Sequence, residues 1–422
     1  MKTLPIAIAL ILFAATSPIY AQSVSAPVNA SNYEEPPTLS AKEILNPAFL
    51  AGDGFSVKDE VPTSTGRNRY LIVSEYGEFE ADGNIMLDRR IKEVAAIRKL
   101  KETSRTDQYK EALLAAASSP LVVAKDVVTN PVGTITGIPK GLFKFVSRAG
   151  QSVKERTNGR ERSQYEDSNA ANLIGFSKAK RAVAIQLGVD PYSSNETLQR
   201  ELNGIAWATF AGKMTFSVAT LPIGGAAGLA LTSAGVTNTL NKALIDQAPA
   251  ELRLRNLNAM LAMGCDRTAA NRFNNNTAFS PSVQTAIVMN LETLKGVANR
   301  AAFVDLAGSE ATDEGDALFF LGTSRVLAEL HAKKPLARLQ QVGRIPVALG
   351  KDGRAVVALQ WDYAAWTDNA ANFIRLLKAS DFGKKPSGLM IAISGNASAL
   401  AQQKLKEANI ELNPRIVPGP LK

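Results

Sequence analysis

The stretch Gly204–Val236, GIAWATFAGKMTFSVATLPIGGAAGLALTSAGV, carries one charge, Lys213, in a chain that is 21% charged. The 23 residues from Met214 to Val236 carry none, nominally enough to cross a bilayer. Pro222 and the pair Gly224-Gly225 divide this run. Before the break Trp207, Phe210, Met214, Val218 and Leu221 recur at helical steps; after it Leu229, Leu231, Val236, Leu240 and Leu244 continue. The pattern predicts a helix–turn–helix hairpin with Gly224 and Gly225 at its turn. Each arm is shorter than the roughly 20 residues that a membrane helix needs. The favoured reading is therefore a hairpin packed among other helices, where Ala and Gly permit close approach. Insertion into a membrane stands as the other reading.

The N-terminus has the parts of an export signal. Lys2 gives a positive start, Leu4–Ala15 is apolar, and cleavage after Ala21 follows. The chain is basic, with net charge +9, and the leader contributes only Lys2. For an exported chain, phospholipid head groups, lipopolysaccharide and cell-wall polymers are more plausible polyanions than nucleic acid. Cys265 is the single cysteine, so no intrachain disulfide forms. It reads as a small buried apolar residue.

Residues 22–40, rich in Ser, Pro and Asn, read as a flexible lead-in. Residues 41–156 combine a small β element with basic helices. Phe55–Lys58, Tyr70–Ser74 and Glu78–Glu80 are the strand signals, and Ile91, Val94, Ile97 and Leu100 begin the helical pattern. Within this part Gly133, Gly137 and Gly141 lie four residues apart, a spacing that lets two backbones approach closely on a helix face. Lys140, Lys144 and Arg148 interleave with Phe143 and Phe145, a composition suited to an anionic interface. Residues 156–169 are strongly polar, as in a linker. Residues 170–332 read as all-helical. Residues 337–422 give the order β-β-α-β-α-β, with a hairpin turn at Gly350–Gly353. The predicted fold is mainly α: a central helical bundle containing the apolar Ala/Gly-rich hairpin, and a small C-terminal α/β domain.

Chemistry is sparse. His331 is the only histidine, which rules out a His-rich metal site and any triad that does not use it. No G-x-S-x-G nucleophile motif occurs. The richest carboxylate group is Asp305, Glu310, Asp313, Glu314 and Asp316. Glu310 and Glu314 are the candidates for glycosidic acid–base work; helix capping explains the same cluster. Ser394–Ser398 lies between a strand and a helix, where an anion can bind or the helix simply be capped. Trp361, Tyr363, Trp366 and Asp368 form either a sugar platform or core. No cofactor or metal is expected, and no feature specifies a protein partner.

These features predict an exported, non-enzymatic protein, periplasmic or secreted and peripheral to a membrane. It would meet anionic membrane or cell-wall surfaces through Lys140, Phe143, Lys144, Phe145 and Arg148. A secreted pore-forming or toxin-like effector using 204–236, and a carboxylate-dependent cell-wall hydrolase, remain alternatives.

Overall fold

A computed structural model describes residues 33–117, 171–217 and 236–422. The predicted signal peptide, Gly133, Gly137, Gly141, the basic contact residues Lys140, Phe143, Lys144, Phe145 and Arg148, and the turn glycines Gly224 and Gly225 lie outside the described residues.

The N-terminal strands are β1 (Thr38–Ser40), β2 (Ala51–Gly52), β3 (Phe55–Val57), β4 (Glu60–Ser64), β5 (Arg67–Ser74) and β6 (Gly77–Asp82), with short helices α1 (Ala41–Ile44) and α2 (Pro47–Leu50) between β1 and β2. β5 organises the sheet. Its alternate residues Asn68, Tyr70 and Ile72 are buried, as period-two geometry requires of a strand with one covered face. It pairs antiparallel with β3, β4 and β6, and β1 and β2 extend the edges. The predicted lead-in thus ends in a strand, because Thr38–Ser40 finds hydrogen-bond partners in β4.

The helices that follow are α3 (Asn84–Ser104), α4 (Asp107–Ala117), α5 (Ala171–Gln186), α6 (Glu196–Phe210), α7 (Thr237–Asp246), α8 (Pro249–Ala262), α9 (Arg267–Asn275), α10 (Pro281–Thr293), α11 (Ala301–Glu310) and α12 (Glu314–Lys333). Asn195 caps α6 by accepting from Leu198 N–H at 3.1 Å. The first arm of the expected hairpin stops at Phe210, well short of Leu221. The reason is local: a Cβ on Gly212 would lie 2.2 Å from the Ala112 carbonyl oxygen. The backbone turns there against α4, and Lys213 adopts a positive φ of 55°. Met214 and Phe216 beyond it are still buried, packed with Leu198, Leu202 and Ile205. Among the described residues no helix is long and apolar enough to cross a membrane.

The C-terminal part comprises β7 (Leu336–Val342), β8 (Ile345–Gly350), β9 (Ala355–Leu359), β10 (Tyr363–Ala364), α13 (Asp368–Ala379), β11 (Leu389–Ile393), β12 (Asn396–Ala397), α14 (Ala399–Glu407) and β13 (Ile410–Asn413). Its main sheet has the order β13-β11-β9-β8-β7, parallel on the β13 side and antiparallel on the β7 side. β10 and β12 form a separate parallel pair.

The expectation of a mainly α chain with a small C-terminal α/β domain is overturned. Helix makes up 52% and strand 19% of the described residues, in three sheets that include a six-stranded antiparallel one at the N-terminal end and a five-stranded one at the C-terminal end. The C-terminal sheet is covered on both faces. Ala348, Val356, Ala358, Met390 and Ala392 join the same core as Phe303, Leu321 and Leu327 of the helices. Val347, Val357, Leu359, Ile391 and Ile393 face the other way, onto Ile374, Leu377 and Leu405 of α13 and α14. A strand buried on both faces, such as AVVAL in β9, reads as a continuous apolar run without alternation. The described residues from Glu34 onward form one compact unit.

Candidate functional site

The densest polar constellation is centred on α3. Arg89 and Arg90 sit on a helix whose sequence marks them as surface cations, yet their side chains are only 7% and 10% exposed. Arg89 pairs with the fully buried carboxylate of Asp190 at 2.5 Å. Arg90 pairs with Glu93 at 2.7 Å. Asp190 also accepts from the Ser282 hydroxyl and from Tyr192 N–H. Glu93 accepts from the Ser193 hydroxyl at 2.5 Å and from Asn195 Nδ2 at 3.0 Å. Burial pushes the Asp190 carboxyl upward, against the guanidinium, hydroxyl and amide that hold it as an anion.

Glu314, the first residue of α12, lies at the solvent end of this network. Its Oε2 accepts from the Ser194 hydroxyl at 2.6 Å, and Arg89 and Arg90 approach at 3.9 and 3.8 Å. Glu310, at the end of α11, goes elsewhere: it pairs with Arg344 of the β7–β8 turn. The other acids of the sequence cluster disperse in the same way. Asp305 faces Arg272 at 3.4 Å. Asp313 caps α12 by accepting from Asp316 N–H. Asp316 accepts from the Thr312 N–H and hydroxyl and pairs with Arg67 at 3.5 Å. Helix caps and ion pairs therefore occupy the cluster. Among the described residues no group of three or more His, Cys, Asp or Glu side chains is placed to hold a metal ion.

The remaining sequence candidates take structural positions. His331 Nδ1 accepts from Leu336 N–H at 3.1 Å, joining the end of α12 to β7. Burial, with the charge of Lys351, holds this imidazole below its usual range. Trp366 is buried, and Trp361 packs so closely on Gly66 that a Cβ there would meet its ring at 2.6 Å; the two indoles present no open platform. At Ser394–Ser398 the anion position is filled from within the chain. Ser398 caps α14, and its hydroxyl and the Trp366 N–H both donate to the Glu34 carboxylate. Beside this loop, a groove of about 740 Å³ is lined by amide side chains, among them Asn396, Gln402, Gln403 and Asn409.

Cys265 is buried, and burial pushes its thiol up to about 11. From the ordinary value of 9.0 this implies about 100-fold less thiolate at a given pH. We expect iodoacetamide at pH 8 to alkylate native protein at least about 50-fold more slowly than urea-unfolded protein. Equal rates by mass spectrometry would show an accessible thiol.

One buried carboxylate escaped sequence reading. Asp362 accepts from Asn68 N–H at 3.1 Å, Asn84 N–H at 3.0 Å and Gln360 Nε2 at 3.2 Å. Asn84 opens α3, so Asp362 caps that helix from a position 278 residues further on. Tyr70, Asn68 and Asn84 extend the network through the Tyr70 hydroxyl, which donates to Asn84 Oδ1 at 2.6 Å. Gly395 is required beside it: a Cβ there would lie 2.0 Å from the Asp362 carbonyl oxygen. Burial raises the Asp362 carboxyl to about 7, outweighing the two backbone N–H donors and the Gln360 amide. The sequence signal is the pair Gln360 and Asp362, polar residues just beyond an apolar strand, which gives no hint of its partners.

Comparison with protein-family models, with curated proteins and with solved structures found no match. The functional reading rests on the chain itself.

Proposed function

We propose that this is an exported, non-enzymatic protein that associates with anionic surfaces of a bacterial-type envelope. The observation that carries the proposal is a coincidence in one chain: an export-type N-terminus, a net charge of +9, and the basic, aromatic, Gly-spaced segment from Gly133 to Arg148. The engagement of Glu310 by Arg344, and of Glu314 by Ser194 beside Arg89 and Arg90, supports a non-enzymatic reading. These carboxylates have neighbours that serve the fold, whereas a glycosidic pair would face a common cleft.

Co-sedimentation tests it. The purified chain should pellet with vesicles containing phosphatidylglycerol at low salt and release as ionic strength rises past about 0.15 M. Changing Lys140, Lys144 and Arg148 together to Glu should weaken binding by at least about tenfold. Absence of any pelleting at low salt overturns the proposal.

A further inference from the structure

One end of the C-terminal sheet gathers cations that are far apart in sequence. Lys333 and Lys334 lie at the end of α12, Lys351 in the β8–β9 turn, Arg375 and Lys378 on the last turns of α13, and Lys384 and Lys385 in the loop before β11. Backbone hydrogen bonds hold these segments side by side. Lys351 N–H donates to the Pro335 carbonyl at 3.0 Å. Ser387 N–H donates to the Gly353 carbonyl at 3.0 Å, and its hydroxyl to the Asp352 carbonyl at 3.1 Å. The loop is also tied to β7, since Arg338 donates to the Phe382 carbonyl at 3.0 Å.

All seven cations are exposed. None is in an ion pair among the described residues, whereas Lys42, Lys110, Arg344 and Lys404 elsewhere on the surface are paired. The nearby acids are turned to local use: Asp381 accepts from Gly383 N–H, Asp352 from Arg354 N–H, and Glu411 pairs with Arg354. Beside Arg375, Leu376 is 54% exposed, an uncommon position for a large apolar side chain among the described residues.

We infer that this rim is a docking face for an anionic phospholipid surface, separate from the Lys140–Arg148 segment. The inference rests on the envelope reading above and gives it a second, folded contact. Unpaired lysines on several tethered segments present a fixed multivalent charge to headgroup phosphates, and an exposed leucine beside them supplies the apolar contact of an interfacial site. A nucleic-acid site would share the charge. It has no use for the exposed leucine, and no aromatic side chain is exposed within the rim for bases to stack on.

The test is vesicle binding by the full chain, comparing phosphatidylglycerol-containing with pure phosphatidylcholine vesicles. Lys351→Glu with Lys384→Glu and Lys385→Glu should lower affinity for the anionic vesicles at least about tenfold, and leave thermal melting unchanged. Lys333→Glu with Lys334→Glu, outside the loop, should lower it about fivefold or more. If both variants bind like the parent while the Lys140, Lys144 and Arg148 variant loses binding, the rim inference falls and the envelope reading stands. If the parent binds no anionic vesicle, both fall. Preferential binding of duplex DNA over the vesicles, lost in the same variants, also overturns the inference.

Discussion

Asp362→Ala should destabilise the protein by roughly 3–9 kcal/mol, since it strands the Asn68 and Asn84 N–H groups and the Gln360 amide in a buried site at about 1–3 kcal/mol each. The backbone N–H of Asp362 donates to the Gly66 carbonyl at 2.7 Å and is kept in the alanine variant, so the loss reports the carboxylate that caps α3. Asp362→Asn keeps an acceptor oxygen for the two backbone donors and removes the titration. The sign of the pH effect follows from the direction of the shift. The folded carboxyl is raised from 3.8 to about 7, with burial the main cause. The stability this residue contributes is therefore fully present below the unfolded value and lost as pH rises through the folded one. Relative to Asp362→Asn, the parent should lose on the order of 4 kcal/mol between about pH 4 and pH 8. Urea denaturation across that range measures it. Parallel profiles for the two proteins would refute the assignment.

Arg89→Ala should cost about 3–5 kcal/mol, because it leaves the Asp190 carboxylate buried without its cation. The same reasoning predicts partial recovery. Arg89→Met combined with Asp190→Asn removes both charges and leaves Ser282 and Tyr192 N–H with an acceptor. That pair should regain at least half of the loss, since a buried ion pair replaced by groups of similar volume is often near neutral. Double-mutant analysis of urea midpoints reads this directly. A single-variant cost below about 1 kcal/mol would mean that Arg89 and Asp190 are solvated in solution. Glu310→Gln serves as the contrast: its partner Arg344 is 76% exposed, and surface pairs of this kind contribute roughly 0–1 kcal/mol.

Local signals were legible where neighbours in sequence decide the outcome. The strands around Phe55 and Tyr70, the helical pattern of α3 and the Gly350–Gly353 turn follow from periodicity and turn chemistry. Helices α9 and α11 lie within the stretch 170–332 that reads as all-helical, but periodicity does not mark their separate bounds. Both are short, about nine or ten residues, and such helices draw their stability from packing more than from their own propensity. Leu336–Val342 and Ile345–Gly350 are two strands where the order β-β-α-β-α-β counts one, because the tight turn at Gly343-Arg344 is brief.

The candidate site was legible only in part. Glu310 and Glu314 belong to the richest acidic run, and their proximity in sequence suggests a shared site. The fold turns one toward Arg344 and the other toward Arg89 and Arg90. Arg89 and Arg90 carried the pattern of a solvated helix face, and Asp190 that of a helix stop. Their burial depends on partners about one hundred residues away, which no local window contains.

By itself the sequence determined the apolar stretch after Lys2, the basic balance, the scarcity of histidine and cysteine, and the uncharged run from Met214 to Val236 in mid-chain. These are properties of composition and of spacing along the chain. Only the tertiary structure decided that the helix before that run ends at Phe210 against α4, that Asp362 caps α3, and that lysines from four segments meet on one rim. Each of these depends on which backbones approach closely and which charges lose water, and long-range packing sets both.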